Sequence, residues 1–266
     1  VALAACRSAA PRGGAREGNT LVVGLATEPI ALSSAGSIDG GASVVGAQIF
    51  ERLFAADLKG RPVPQLALAA TLSPDGLSAS ITLRPGVKWH DGKPLTSADV
   101  AYTVEHVWKA LLPRSQVAFA NLSRIETPSA LEIVLHFSSP APYLVGALAD
   151  ASAQIVPRHL YEGRDVLSNP RNKAPIGNGA FIFESWKQGE HLVLRRNPDY
   201  WDTPRPQIER LIFRFVPAGS STSVALESGS IDYSTGVSLN DVARFRQDDR
   251  YFVRTQGPEY SAGFSR

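Results

Sequence analysis

Trp89, His90 and Asp91 place an indole, an imidazole and a carboxylate side by side in this 266-residue chain. An imidazole beside a carboxylate could supply the acid–base part of a hydrolytic site, which also needs an activated nucleophile. The nearest string to a Gly-x-Ser-x-Gly elbow is Gly41-Ala42-Ser43-Val44-Val45-Gly46, whose spacing is wrong for that turn. The trio therefore reads as a buried Trp followed by a turn, with Asp91-Gly92 as the turn dipeptide. His90, His106, His136, His159 and His191 are dispersed, with no His-x-His or His-x-x-x-His spacing, so zinc is not expected. Gly177-Asn178-Gly179 starts like a dinucleotide loop, but Ile182 occupies the place of the third glycine. No Walker A string occurs, and Asp248-Asp249 lies in a charged stretch suited to a solvated helix end. No catalytic constellation emerges, and neither an enzyme nor a cofactor is expected.

The elements around these residues are legible. Leu77, Ala79, Ile81 and Leu83 alternate with Ser78, Ser80, Thr82 and Arg84, predicting a half-buried strand. Pro85-Gly86 and Asp91-Gly92 predict turns. Thr96 with Asp99 is an Asp variant of the capping box, opening a helix with Val100, Val104, Val107, Trp108 and Leu111 on one stripe. Leu21 to Leu25 reads as a buried strand ending at Thr27-Glu28-Pro29, then a Gly/Ser-rich loop from Ser33 to Ser43. Val45, Ile49 and Leu53, flanked by Phe50 and Phe54, predict a helical stripe. Leu131, Ile133, Leu135 and Phe137 alternate as a second strand. Phe181–Trp186, Gln188-Gly189 and His191–Arg195 predict a hairpin. Leu211 to Val216 is apolar on both faces, fit for the middle of a covered sheet. A helix from about Ser220 should end at Gly229, followed by a strand at Ser230–Tyr233. Together these predict mixed α/β or α+β layering with no internal repeat.

Composition narrows the partners. Twenty-seven basic against 25 acidic side chains leave little net field, disfavouring nucleic acid. No apolar run reaches the length of a membrane span. Cys6 is the single cysteine, which excludes an internal disulfide and a Cys-based metal site. Methionine is absent even at position 1, so the start of the reading frame is expected to lie upstream.

Several blocks carry a family resemblance. "LRPGVKWHDGKPLTSADV" at 83–100 and "APIGNGAFIFESWKQGEHLVLRRNPDYW" at 174–201 resemble recurrent passages of the family 5 extracellular solute-binding proteins. These are the peptide, dipeptide and nickel-chelate receptors of ABC importers. "LVVGLATEP … IFERLFAADLKGRPVPQLA", "IVPRH" and "GSID" resemble further passages in family order. Leu3-Ala4-Ala5-Cys6 resembles a bacterial lipobox, with residues 7–19 as a flexible tether behind it. "GPEYSAGFSR" looks like the strand by which family members cross into a second lobe.

The resemblance implies an α/β, periplasmic-binding-protein-like (class II) first lobe with an inserted α+β subdomain, the second lobe being absent. Residues 1–6 would be a signal-peptide remnant and lipobox. Residues 20–46 plus 173–266 would form the incomplete lobe core, and 47–172 the insertion. Ligand contacts are expected from loops at strand ends: Thr27, Glu28, Pro29 and Ile30, then Ser37 and Ser43, Asn178, and Tyr233 with Ser234. No metal ligand is expected, and Cys6 would carry lipid. The implied partners are a peptide or other small solute, ABC permease subunits and the membrane through that anchor. A monomer at the periplasm or cell surface is expected, with metal-chelate or sugar binding, an enzyme or a sensor as alternatives on the same scaffold.

Overall fold

The computed structural model describes residues 19–57, 59–254 and 263–265. In chain order the strands are β1 Thr20–Leu25, β2 Phe54–Ala56, β3 Pro62–Pro64, β4 Ala67–Leu72, β5 Ser78–Leu83, β6 Leu122–Ser129 and β7 Glu132–Phe137. They continue as β8 Phe181–Lys187, β9 His191–Arg196, β10 Arg210–Phe215, β11 Tyr233–Ser234, β12 Phe252–Arg254 and β13 Gly263–Ser265. The larger sheet runs β12-β13-β11-β1-β10-β9-β8, the smaller one β4-β5-β7-β6, and β2 pairs with β3 alone.

β1 lies at the centre of the larger sheet because it is apolar on both faces. Val23 and Leu25 point with Leu211 and Phe213 of β10 into the main core. Val22 points the other way, packing with Leu226, Ile231 and Phe245 from helices Ser220–Glu227 and Leu239–Arg246 and the strand approach between them. On that second face Gly24 is required: a Cβ there would stand 2.6 Å from Ile231 Cδ1. β1 is parallel to both β10 and β11, whereas the other pairs of this sheet are antiparallel. The hairpin expected at 181–195 is β8–β9, closed by Gly189 at φ 75°.

The smaller sheet follows its alternation. In β5 Ala79, Ile81 and Leu83 are buried, and in β7 Ile133, Leu135 and Phe137 are. Helix Ser97–Thr103 lies against β6 and β7 and opens with Thr96 N–H donating to Asp99 Oδ2 at 2.9 Å. Asp99 Oδ1 accepts from Arg158 N–H at 2.9 Å, so one buried carboxylate serves both the cap and the 155–160 turn. The helix widens into a π-helical turn at Val104–Trp108 before Lys109–Leu111. The extra residue in that turn advances the phase, and Leu112 rather than Leu111 is the buried residue that follows. Both sheets share one continuous apolar core.

The region after β1 departs from the expected pattern. Helix α1 spans Gly40–Ile49, so it begins inside the expected Ser33–Ser43 loop and stops before Leu53. Asp39 makes the early start possible, its Oδ1 accepting from Ala42 N–H at 2.8 Å as an N-cap. At the other end Phe50 is extended, and Phe54 is held in β2 opposite Pro64. The apolar run therefore serves a helix and then a strand.

Candidate functional site: the open edge of the parallel strands

Because β1, β10 and β11 are parallel, their carboxyl ends at Leu25, Phe215 and Ser234 reach one edge of the sheet. Such an edge is where open α/β sheets place ligand crevices. Three segments frame it. Thr27–Ile30 leaves β1, α1 starts beside it, and the turn after β11 closes the side through Gly219 N–H donating to the Gly236 carbonyl at 2.8 Å. The approach of α1 to the first loop needs Gly41, where a Cβ would lie 2.8 Å from the Thr27 carbonyl oxygen.

The expected site residues divide by what their side chains do. Thr27 and Ile30 are exposed at the edge, Ile30 at 70 %. Ile38 and Val44, flanking the first turn of α1, are 52 % and 45 % exposed, giving the edge an apolar rim. Ser43 sits half-buried in that first turn. Glu28 is engaged within the fold: its carboxylate accepts from Trp186 Nε1 at 2.8 Å and from Gly189 N–H at 3.0 Å, tying the loop to the β8–β9 hairpin. Pro29 is buried. Ser37 Oγ donates to Asp39 Oδ2 at 2.7 Å and so belongs to the α1 cap. Burial alone would raise the Asp39 pKa, but hydrogen bonds from Ala42, Ser37, Ile30 and Gly41 outweigh it and lower the pKa.

Tyr233 is half-buried on β11 beside Val23, and Ser234 is buried, its Oγ donating to the Gly24 carbonyl at 3.2 Å. Asn178 stands apart from this group, at the carboxyl end of α1, where its Oδ1 accepts from Glu51 N–H at 2.9 Å. Cys6 lies outside the described residues, as do residues 257–262 and 266 of the expected crossing segment, whereas Gly263–Ser265 forms β13.

Trp89, His90 and Asp91 do what turns and cores require. Trp89 is buried. His90 locks the Gly-rich entry: its N–H donates to the Gly177 carbonyl at 2.7 Å, and its Nδ1 accepts from Gly177 N–H at 3.2 Å. That fixes the proton on Nε2, which donates to the Gly179 carbonyl at 3.1 Å. Burial lowers the His90 pKa to about 4, with Arg195 adding to the shift and the Gly179 carbonyl opposing it. A neutral imidazole in the fold and a more basic one in the unfolded chain means that unfolded molecules take up the extra proton. Stability is therefore complete above the unfolded value of 6.5 and is lost as pH falls towards about 4. The expected loss approaches about 3 kcal/mol at the acid end. Glu51, whose pKa burial raises, works in the opposite direction. Urea unfolding of wild type and His90→Gln at pH 7 and pH 4.5 checks this: the acid sensitivity should shrink in the variant. Equal sensitivity in both proteins would remove His90 as its source.

Two structural hubs were not singled out in the sequence. Buried Glu51 accepts from Trp201 Nε1 at 2.6 Å, from Gln65 Nε2 at 3.2 Å and from the Tyr200 hydroxyl. The signal was a carboxylate inside the apolar run Ile49 to Phe54, an arrangement that demands buried partners. Buried Asn172 accepts from Ser33 Oγ and Tyr161 Oη, each at 2.9 Å, and its N–H group fastens the 166–167 turn.

The larger sheet is mixed, and loops gather at the carboxyl ends of its parallel strands. The comparisons make the class specific. The family model described as bacterial extracellular solute-binding proteins, family 5 Middle, matches residues 61–265, and the chain belongs to that family. The oligopeptide-binding protein AppA of Bacillus subtilis (strain 168) is 28 % identical over 240 residues, covering 85 % of this chain and 44 % of that protein. Protein XP55 of Streptomyces lividans is 31 % identical over 239 residues, covering 89 % and 42 %. The solved structure of B. subtilis AppA in complex with a nonapeptide superposes with a TM-score of 0.79 at 26 % identity, covering 88 % of this chain and 47 % of that one. NikZ from Campylobacter jejuni in complex with Ni(L-His) gives 0.78 at 26 %, covering 89 % and 47 %. The chain thus spans less than half the length of these relatives. The family and mixed α/β lobe anticipated from the motif blocks are those found.

Proposed function

We propose that this chain supplies one lobe of the substrate-binding component of an ABC importer, capturing a peptide-like solute for a membrane permease. What carries the reading is the open edge of β1, β10 and β11 within a chain of this family, with relatives named for oligopeptide binding. Thr27, Ile30, Ser43 and Tyr233 would face the ligand. Glu28, Pro29, Ser37 and Ser234 would hold those loops in place, and Asn178 would brace the far end of α1. Main-chain groups at strand ends suit an extended ligand, recognised by backbone pairing that tolerates varied side chains. Closure against a second lobe would then be driven by tighter binding to the closed state. The subdomain at 47–172 would widen the lobe that makes this contact.

Isothermal titration of the full-length gene product with mixed tri- to nonapeptides should give saturable binding. Introducing Ile30→Asp should weaken it about tenfold or more by setting a carboxylate in the apolar rim. Unchanged affinity would exclude this edge from the site. A metal chelate remains the second reading, favoured by the likeness to the Ni(L-His) complex, and the same titration with Ni(L-His) decides between them. We further propose that Cys6 carries a lipid anchor placing the protein at the periplasmic or outer surface of the membrane. Cys6→Ala in the full-length gene should release it into the soluble fraction, and retention on membranes would refute the anchor.

A further inference from the structure

A cavity of about 280 Å³, lined by Leu160, Arg164, Asn169, Pro170, Arg171 and Ala174, opens in the segment 160–174, among residues the ligand-facing edge does not use. Leu160, Pro170 and Ala174 give it apolar walls, while Arg164 and Arg171 bring two guanidinium groups. Among the described residues neither arginine is ion-paired; Arg171 reaches only the Ala174 carbonyl, at 3.5 Å. The acids next to them make their contacts elsewhere. Glu162 pairs with Arg158 at 2.7 Å, and Asp165 accepts from Ser168 N–H at 3.0 Å and from Ser168 Oγ at 2.6 Å. Two like charges beside one small cavity, neither held in an ion pair, repel each other and favour an anion between them.

The walls are fixed before any ligand arrives. Buried Asn169 accepts from Arg171 N–H at 2.9 Å and donates to the Leu160 carbonyl at 3.0 Å, fastening two lining segments together. Asn172 secures the intervening turn to Ser33 and Tyr161. A preformed frame spares a ligand the cost of ordering it.

We propose that this cavity is a binding site for a phosphate-sized anionic group, held by Arg164 and Arg171 through charge-assisted hydrogen bonds. The group could come from a soluble phosphate compound or from a lipid headgroup. Isothermal titration of the intact chain with inorganic phosphate should give saturable binding. The dissociation constant should rise about tenfold or more in Arg164→Gln and again in Arg171→Gln. Ala174→Phe fills the cavity while keeping both charges, and it should abolish binding too. Absence of saturable binding in wild type, or unchanged binding in these variants, overturns the proposal. Should the glutamine variants not fold, the wild-type titration and Ala174→Phe still decide it. Sedimentation with phosphatidylglycerol vesicles identifies the source: pelleting that phosphate competes away assigns a headgroup, and phosphate binding without pelleting assigns a soluble anion.

Discussion

Gly177→Ala should destabilise the protein by about 4 kcal/mol or more, placing it among the rare severe substitutions. A Cβ at Gly177 would stand 2.0 Å from the Ile49 carbonyl oxygen and 2.8 Å from its carbonyl carbon. Backbone cannot rotate aside as the tip of a side chain can. The same oxygen accepts from Asn178 N–H at 3.0 Å and Gly179 N–H at 2.8 Å, so any shift breaks the seam between α1 and the Gly-rich entry. His90 loses its register at the same time, because it grips Gly177 through both its backbone N–H and its ring. The thermal midpoint should fall by about 10 °C or more. Gly40→Ala is the matched control: no heavy atom lies within 4 Å of its added methyl, and its effect should stay within about 1 kcal/mol. Equal midpoints for the two variants would show that the seam tolerates what the geometry forbids.

The second large effect is expected at Glu51. Its removal leaves the Tyr200 hydroxyl, the Trp201 indole N–H and the Gln65 amide without their shared acceptor. It also strips Arg84, stacked 3.7 Å over the Trp201 ring, of its nearby counter-charge. Glu51→Ala should cost about 3–5 kcal/mol, the range for breaking a buried polar cluster from one side. Glu51→Gln keeps one acceptor oxygen and should lose about half as much. Urea unfolding followed by tryptophan fluorescence measures both. A Glu51→Ala loss below about 1 kcal/mol would mean that Tyr200 and Trp201 find other partners or water.

Glu51 also shows where the sequence was informative and where it was not. Period-two alternation placed β5 and β7, and Thr96 with Asp99 placed a helix start, because those signals act through near neighbours. The Asn-Pro-x-Tyr-Trp passage at 197–201 was legible as a motif, yet its reason was not. Tyr200 and Trp201 reach Glu51 some 150 residues away in the chain, and no local pattern encodes such a contact. The end of α1 was misread for a related reason. Leu53 and Phe54 continue the apolar spacing, but Phe54 pairs with Pro64 in a strand, which ends the helix before them. At the candidate edge, the place of the loop after β1 was legible from the end of the strand, while Glu28 was not recognisable as a brace. Its partners Trp186 and Gly189 belong to a hairpin far along the chain.

The most direct test of the proposed capture compares two proteins in one titration: residues 1–266 alone, and the same chain extended by the second lobe that the proposal requires. Each is titrated with a peptide mixture, and the peptides are recovered afterwards by mass spectrometry. The extended protein should bind saturably and return every peptide intact, while the 266-residue chain binds at best weakly. Tight binding by the shorter chain, or cleavage of the peptides by either, would contradict the proposed two-lobed carrier that does no chemistry on its cargo.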